Sequence, residues 1–255
     1  MDTPDLRSAL ASGEIRLEYQ PEFDLHTRKV VAVEALARWD HPSLGALRAE
    51  GFVRLAEQSG EIGQLGTWAL WTACEQRAAW GTEFAGLELV IRVNVSPAQV
   101  SEPGFSDLVW SILDKTGLKP TDLGLEITER TDPDDPDAMT RAAQQLRDSG
   151  VHIALDDFGI GHSGLLRLRD RCYDMLKIDK AFVTGLDFRS RDSVIVGAII
   201  ELAQQLQLEV VAEGIEASTS LAELVRLGCR RGQGYYLAEP ADAVKIAGLL
   251  GLSSS

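Results

Sequence analysis

The sequence has 255 residues, of which 45% are apolar, and its formal net charge at pH 7 is −14. This length is near the ~250 residues typical of one eight-stranded α/β barrel and is enough for a large single core. The acidic charge argues against nucleic-acid backbones and anionic membranes as default partners. We therefore expect no nucleic-acid polymer as a partner and no direct membrane contact by this domain.

The cysteine content and the lack of targeting segments bear on the compartment. Cys74, Cys172 and Cys229 are widely spaced and fit neither a disulfide framework nor a zinc site. The sequence contains no signal peptide and no apolar stretch of about 18 residues. These features predict a soluble, cytoplasmic domain. They are also compatible with the cytosolic output domain of a larger sensor protein.

The first two predicted strands lie close together in the sequence. The first covers residues 17–23, and the second begins at Val30. The polar segment 24–29 between them is too short to hold a crossover helix, so we expect these two strands to be antiparallel neighbours.

Every later pair of strands is separated by enough residues for a helix. Helical spacing of apolar residues covers the segments 51–80, 105–116, 137–149, 193–206, 219–227 and 241–250. This alternation predicts an α/β fold, a modified (β/α)8 TIM-type barrel with an antiparallel first strand. We expect one domain over residues 1–255, with a frayed tail at 252–255.

Acidic or amide side chains end the apolar, strand-like runs. The runs cover residues 30–34, 89–94, 123–129, 151–157, 175–179 and 210–213, and a shorter segment ends at Gln233. The carboxyl ends of barrel strands share one rim, where such barrels carry out their chemistry. Charged groups at buried strand ends are normally paired or bound to cations. The residues expected to converge are Glu34, Asn94, Glu126, Asp156, Asp157, Glu213 and Gln233.

Such a cluster would be strongly self-repulsive without cations. Its ligands are all oxygen atoms, which suit Mg²⁺ or Mn²⁺ rather than zinc. Asp156 and Asp157 are adjacent at a strand end where the alternation breaks down, so one could face a first ion and the other a second. The bland alternative, in which scattered acids are surface charges, accounts for most of the other Asp and Glu residues.

Lys177 and Asp179 lie two residues apart and therefore share a face of their strand. A lysine beside a metal site is suited to guiding or deprotonating the attacking water. The alternative is a structural salt bridge between Lys177 and the acid cluster, and spacing alone leaves both interpretations open.

A glycine-rich segment, residues 157–164, follows the fifth predicted strand, counting the opening strand at 17–23 as the first. It could act as a lid over a barrel site or be a plain connecting loop. Glu129, three residues after Glu126, could hold this loop from the side. His162 is more consistent with a loop residue than with a metal ligand, because no second histidine lies nearby.

The candidate residues belong to eight short motifs spread over nearly the whole chain. They are Tyr19-Gln20-Pro21, Glu34-Ala35-Leu36-Ala37-Arg38-Trp39, Asn94-Val95-Ser96-Pro97, Glu126-Ile127-Thr128-Glu129, Asp156-Asp157-Phe158-Gly159, Leu176-Lys177-Ile178-Asp179, Ala212-Glu213-Gly214-Ile215-Glu216 and Gly232-Gln233-Gly234-Tyr235. In order and spacing they resemble the motifs of the EAL-domain family, the bacterial phosphodiesterases that linearise cyclic di-GMP. The resemblance implies a modified barrel with an antiparallel strand at its start.

The resemblance also implies roles for single residues. Glu34, Asn94, Glu126 and Asp156 would hold one metal ion. Asp156 and Asp157 would reach the second, with Glu213 and Gln233 completing the site directly or through water. Lys177 would position the attacking water. Gln20, Leu36 and Arg38 would contact the guanine and phosphate of the ligand. Glu129 would anchor the lid, and Asp179 and Glu216 would support the site.

The charge of the implied substrate fits a metal-dependent reaction. Cyclic di-GMP carries two phosphodiester charges, so divalent ions must invert the local potential of an acidic rim before it can bind. A site with two Mg²⁺ or Mn²⁺ ions ~3.5–4 Å apart can activate water and stabilise the charge developing at phosphorus, leaving linear pGpG. Ca²⁺ is larger and is expected to inhibit.

Some positions depart from the common family pattern. Ile160 replaces a small or hydroxyl residue, His162 a tyrosine, Gly164 a serine, and Ala49 a proline. Loop order is linked to dimerisation and second-metal binding in this family, so the changes at 160, 162 and 164 bear on turnover more than on ligand binding. We expect a loop that is mobile without ligand.

Two functions follow from the resemblance. The first is an active cyclic di-GMP phosphodiesterase, and the retained metal acids favour it. The second is a catalytically silent receptor that binds cyclic di-GMP and passes the signal to a partner. A different Mg²⁺-dependent barrel hydrolase fits the motifs poorly. The resemblance also favours a homodimer formed through helices near the fifth and sixth strands.

Overall fold

Strands and helices alternate along the chain in the computed structural model, which describes residues 6–128, 135–160, 164–169 and 172–253, without the side chains at 50, 54, 57, 58, 252 and 253. The strands are β1 (Ile15–Asp24), β2 (Val30–His41), β3 (Gly45–Arg48), β4 (Val90–Val95), β5 (Leu123–Thr128), β6 (His152–Phe158), β7 (Met175–Ile178), β8 (Glu209–Ala212) and β9 (Arg231–Gly232).

The helices mostly connect these strands. They are α1 (Leu6–Ser12), α2 (Ala49–Ser59), α3 (Ile62–Glu83), α4 (Pro97–Ser101), α5 (Phe105–Thr116), α6 (Pro136–Asp148), α7 (Gly164–Arg167), α8 (Lys180–Val183), α9 (Arg191–Gln205), α10 (Ser218–Arg226) and α11 (Ala243–Ser253), with a 3₁₀ turn at Pro120–Asp122. In the described part of the chain, none of these helices has both the length and the apolar character needed to cross a bilayer.

The sheet closes into a barrel through its first strand. The strand order is β1-β9-β8-β7-β6-β5-β4-β2-β3, and β1 also pairs with β2. Because β3 lies outside this closure, the other eight strands of the described residues form the barrel. The strand β1 is antiparallel to both β2 and β9, whereas the other barrel pairs are parallel. The predicted modified barrel with an antiparallel first strand is confirmed.

A tight turn explains why the first two strands pair directly. The Oδ1 atom of Asp24 accepts hydrogen bonds from the backbone N–H groups of His26 at 3.0 Å and Thr27 at 2.7 Å. Arg28 adopts the left-handed conformation with φ of 61°. An aspartate that caps its own turn in this way reverses the chain within a few residues and fixes the hairpin register.

Local signals set the helix boundaries. Pro136 begins α6, and the side chain of Asp135 accepts a hydrogen bond from the N–H of Ala138 at 2.9 Å, as expected for an N-cap followed by proline. The predicted helical segment 51–80 is instead two helices, α2 and α3, because Gly60 lies between them with φ of 74°. The helix α11 runs to Ser253, and residues 254 and 255 lie outside the described residues, so the predicted fraying at 252–255 stays a prediction.

The two faces of the barrel strands carry different side chains. Leu123, Leu125 and Ile127 of β5 belong to the large apolar core packed against the helices. Successive side chains of a strand point to opposite faces, so Gly124 and Glu126 face the barrel interior. A small separate cluster of Ala154, Met175 and Val211 fills part of that interior, and charged side chains fill much of the rest.

Candidate active site

Lys177 is the centre of an acidic cluster inside the barrel. It lies on β7 between Leu176 and Ile178, so its side chain points inward while theirs face the helices. Its Nζ atom is fully buried and contacts carboxylate oxygens from four other strands or strand ends. The distances are 2.6 Å to Glu126 Oε2, 2.7 Å to Glu213 Oε1, 3.0 Å to Glu34 Oε2 and 3.6 Å to Asp156 Oδ1.

One lysine does not balance four buried carboxylates. Burial lowers the pKa of Lys177, but the attraction of the four acids outweighs burial and holds that pKa well above the ordinary lysine value. Burial raises the pKa of Glu213 to about 8 and also raises the pKa values of Glu126 and Asp156. The cluster can therefore hold all its acids ionised at neutral pH only if further positive charge is present.

Glu34 differs from the other acids because three neighbouring side chains hold its charged form. Burial raises its pKa, but Lys177 and hydrogen bonds from Gln233 and Asn94 outweigh burial and bring the pKa to about 2. Asn94 Nδ2 donates to Glu34 Oε1 at 2.7 Å, and Gln233 Nε2 donates to Glu34 Oε2 at 2.5 Å. Gln233 Nε2 also lies 3.1 Å from Glu213 Oε1. The predicted convergence of these strand ends is present.

A local irregularity in β6 brings two consecutive acids to the same place. The pairing of β6 with β7 shifts register between Leu155 and Phe158, and Asp157 has a left-handed φ of 56°. A regular strand would send the side chains of Asp156 and Asp157 to opposite faces. Here, the carboxylates of Asp156, Asp157 and Glu213 lie within 4.8 Å of one another and could hold a metal ion.

The donor set of the cluster fits a hard divalent cation. Asp156 Oδ1 and Gln233 Oε1 are buried and accept no hydrogen bond from the described residues. Buried acceptors normally have a partner, and oxygen ligands without one suit Mg²⁺ or Mn²⁺. Among the predicted metal ligands, Asp156, Asp157 and Glu213 form the group whose carboxylates could hold an ion. Glu34 and Glu126 each contact Lys177, which lies next to that group. Asn94 contacts Glu34.

The predicted ligand contacts lie on a ribbon that extends from the barrel. Only Ala32–Ala35 of β2 pair with β4, whereas the rest of β2 pairs with β1 and β3. Leu36 and Arg38 therefore continue the face of Glu34 beyond the barrel, and Gln20 lies opposite Glu34 on β1. Arg38 is held by Glu18, whose Oε2 atom accepts from Nε at 2.9 Å. Glu34 is thus inside a long strand, and the prediction that β2 ends there was wrong.

The predicted supporting residues have different positions. Asp179 caps α8, since its Oδ1 accepts from the N–H of Ala181 at 2.7 Å. Glu216 follows Glu213 in the loop after β8 and is exposed. Glu129 and His162 lie outside the described residues. Gly159, at the start of the predicted lid, has φ of 100°, and a Cβ there would come within 2.7 Å of the Phe182 ring.

Two interior charges were missed at the level of the sequence. Arg92 on β4 and Glu22 on β1 are both buried, and Arg92 Nε donates to Glu22 Oε2 at 2.7 Å. The signal was present, because an arginine between Ile91 and Val93 breaks an apolar strand in the alternate position that faces the barrel interior.

Comparison with known proteins identifies the fold family. A family model described as the EAL domain matches residues 4–240, which is most of the chain. The chain belongs to the EAL-domain family. The signature triplet Glu34-Ala35-Leu36 begins with the carboxylate that Lys177, Asn94 and Gln233 surround.

Relatives from several bacteria are longer than this chain. The protein Rv1354c of Mycobacterium tuberculosis is 39% identical over 245 residues, which cover 96% of the chain and 39% of that protein. The bifunctional diguanylate cyclase/cyclic di-GMP phosphodiesterase MucR of Pseudomonas aeruginosa is 40% identical over 242 residues, which cover 95% of the chain and 35% of MucR. This EAL chain thus spans less than half the length of these curated relatives.

A solved structure supports the same family. The PaMucR phosphodiesterase in complex with c-di-GMP superimposes with a TM-score of 0.87 at 39% sequence identity. The match covers 95% of this chain and 98% of that one. The barrel of this EAL domain is therefore shared over nearly its whole length with a protein that binds c-di-GMP.

Proposed function

We propose that this EAL domain is a cyclic-guanylate-specific phosphodiesterase that hydrolyses one phosphodiester bond of cyclic di-GMP to linear pGpG. The observation that carries the proposal is the convergence of Glu34, Glu126, Asp156 and Glu213 on Lys177 inside the barrel. Similarity to MucR, which is named a cyclic di-GMP phosphodiesterase, supports the choice of substrate. The retained acids favour an enzyme over a silent receptor.

Two Mg²⁺ or Mn²⁺ ions are the proposed cofactors. Glu34, Asn94, Glu126 and Asp156 would hold one ion, and Asp156 and Asp157 the other, with Glu213 and Gln233 completing the site. When bound, the ions supply a Lewis acid for the phosphate and an activated water. Their charge would also offset the excess of buried carboxylates, which Lys177 alone does not balance.

Lys177 is proposed to orient the attacking water by donating a hydrogen bond. A lysine whose pKa is held well above its ordinary value stays protonated at neutral pH and is a poor proton acceptor. The water oxygen forms a bond to phosphorus, the bond from phosphorus to the 3′ oxygen breaks, and the leaving oxygen ends protonated in pGpG. The proton of the water must therefore pass to a carboxylate or to solvent rather than to Lys177.

The ribbon residues are proposed to bind the parts of the substrate away from the reacting phosphate. Gln20 and Leu36 would contact guanine, and Arg38 a phosphate oxygen. Glu18 restrains Arg38 at 2.9 Å, which orients its guanidinium without covering all of its donors. Asp157 and Gln233 would also contact the substrate. Glu129, Asp179 and Glu216 are proposed to support the lid and the rim.

The remaining proposals concern the domain as a whole. We propose one EAL domain over residues 1–255, located in the cytoplasm, where its buried cysteines Cys74, Cys172 and Cys229 would stay reduced. We also propose a homodimer. The support for a dimer is a set of exposed apolar side chains in the segments that follow the neighbouring strands β6 and β7. They are Leu165, Leu166, Phe188, Val194 and Ile195.

Incubation with cyclic di-GMP and Mg²⁺ or Mn²⁺ tests the proposed activity. Chromatography should show pGpG forming with the metal and no product with excess chelator. Binding of cyclic di-GMP by calorimetry, without product under any metal condition, would favour the receptor. Absence of both binding and product would remove cyclic di-GMP as the ligand.

A further inference from the structure

Charged side chains of alternating sign, most of them buried, continue from the acidic cluster into the lower barrel. Below Lys177, the next group is Glu126, followed by Arg92, Glu22 and Arg231. Arg92 Nε lies 2.7 Å from Glu22 Oε2 and 4.0 Å from Glu126 Oε1, and Arg231 Nη1 lies 3.4 Å from Glu22 Oε1. Arg92, Glu22 and Glu126 are each no more than 1% exposed. TIM-type barrels usually fill this layer with branched apolar side chains.

Arg92 is held away from Glu126 by its bond to Glu22. The guanidinium stands close enough to Glu126 to attract its carboxylate, but not close enough for a hydrogen bond. Accordingly, Arg92 Nη1 and Glu126 Oε1 are buried and lack hydrogen-bond partners among the described residues. The other carboxylate oxygen of Glu126, Oε2, accepts a hydrogen bond from Lys177.

The backbone of β5 is shaped to admit this arginine. A Cβ at Gly124 would approach Arg92 Nη1 to 2.9 Å and Cγ to 3.2 Å. Gly124 pairs with Arg92 in register across β4 and β5, and it precedes Glu126 on the same inward face. The glycine, the arginine and the glutamate therefore form one packed unit.

We propose that the Glu22–Arg92 pair positions Glu126. This proposal rests on the proposed metal-dependent function of the site. Arg92 attracts the far side of the Glu126 carboxylate and fixes its orientation. Glu22 prevents Arg92 from capturing that carboxylate, so Oε2 remains directed at the cluster. Arg92 touches neither the substrate nor the reacting atoms and acts only through Glu126.

Manganese binding by the purified domain tests this role. We compare Arg92→Lys, which replaces the planar guanidinium by an ammonium group, with Glu22→Gln, which frees Arg92 to pair with Glu126. Each should raise the Kd for Mn²⁺ about 10–100-fold, the range seen when partners of metal ligands are changed. The matched control is Arg77→Lys, because Arg77 is also buried but donates to Leu89 O, Leu87 O and Asp122 outside the acidic cluster.

A metal rescue distinguishes positioning from simple structural damage. At limiting Mn²⁺, the two variants should show a reduced kcat with little change in KM for cyclic di-GMP, and saturating Mn²⁺ should restore kcat. Gly124→Ala retains every charge and crowds the Arg92 side chain at both Nη1 and Cγ, so it repeats the test if the charge variants do not fold. Wild-type Mn²⁺ affinity in the folded variants would overturn the positioning role. Absence of Mn²⁺ binding by the wild type would instead overturn the proposed metal site.

Discussion

The carboxylates of Asp156 and Asp157 reach the same metal-capable group although the two residues are neighbours on one strand. The left-handed φ of Asp157, 56°, and the register shift between Leu155 and Phe158 make this possible. Thr128 Oγ1 donates to Asp157 Oδ2 at 3.2 Å and fixes the turned side chain. Strained backbone positions of this kind cluster at functional sites, where the surrounding structure holds them in place.

Substitution of Asp157 should separate its backbone role from its charge. Asparagine tolerates the left-handed region, so Asp157→Asn should fold normally but lose most Mn²⁺-dependent turnover. Alanine does not tolerate that region, so Asp157→Ala should lose the same activity and in addition about 1 kcal/mol of unfolding free energy. Chemical denaturation and turnover assays measure the two effects. Equal stability of both variants would contradict the backbone argument.

Glu34 and Arg38 should contribute to different kinetic constants. Glu34→Ala removes a carboxylate at the centre of the cluster and should lower kcat by about 100-fold or more. Arg38→Ala removes a cationic contact and should first raise KM for cyclic di-GMP. Arg141→Ala, at an exposed position on α6, is the control and should change neither constant. Near-normal turnover of Glu34→Ala would remove Glu34 from the site.

Divalent ions should differ in the activity they support. Mg²⁺ and Mn²⁺ fit tight octahedral sites, whereas Ca²⁺ takes more ligands at longer distances. We therefore expect activity with Mg²⁺ or Mn²⁺ and competitive inhibition by Ca²⁺. Initial rates at fixed Mn²⁺ and increasing Ca²⁺ measure this effect. Equal turnover with Ca²⁺ alone would show that the site does not require tight geometry.

Glu223 on α10 should make stability depend on pH. Hydrogen bonds from Arg226 and Ser193 outweigh burial and lower its pKa to about 2. Because the folded-state pKa is depressed, this stabilisation is present above the unfolded-state pKa near 4.5 and is lost as pH falls towards 2. Glu223→Gln should reduce unfolding free energy by about 1–3 kcal/mol at pH 7. The difference between variant and wild type should shrink below pH 4.5; a constant difference down to pH 3 would contradict it.

The fold could be predicted largely from local patterns in the sequence. The polar turn after Asp24 is too short for a crossover, which fixed the antiparallel first strand, and Pro136 marked the start of α6. The extension of β2 beyond Glu34 was missed, because its continuation is held by pairing with β1 and β3 rather than by an apolar run. The break at Gly60 was missed because the apolar helical spacing continues on both sides of it.

The site was predictable to the level of its residues but not of its contacts. The acids were visible as polar ends of apolar runs, and the family motifs placed Lys177 among them. That Lys177 contacts four carboxylates depends on barrel closure, which no local pattern encodes. The restraint of Arg92 by Glu22 joins residues 70 positions apart and likewise appears only in three dimensions.

Hydrolysis in water enriched in ¹⁸O tests the central claim most directly. The folded domain is incubated with cyclic di-GMP and Mn²⁺, and the product is examined by mass spectrometry. Attack of water at phosphorus with cleavage of one diester predicts linear pGpG with a single ¹⁸O atom on its terminal phosphate, and none with chelator. Tight binding of cyclic di-GMP with no labelled pGpG would contradict the phosphodiesterase and leave a receptor.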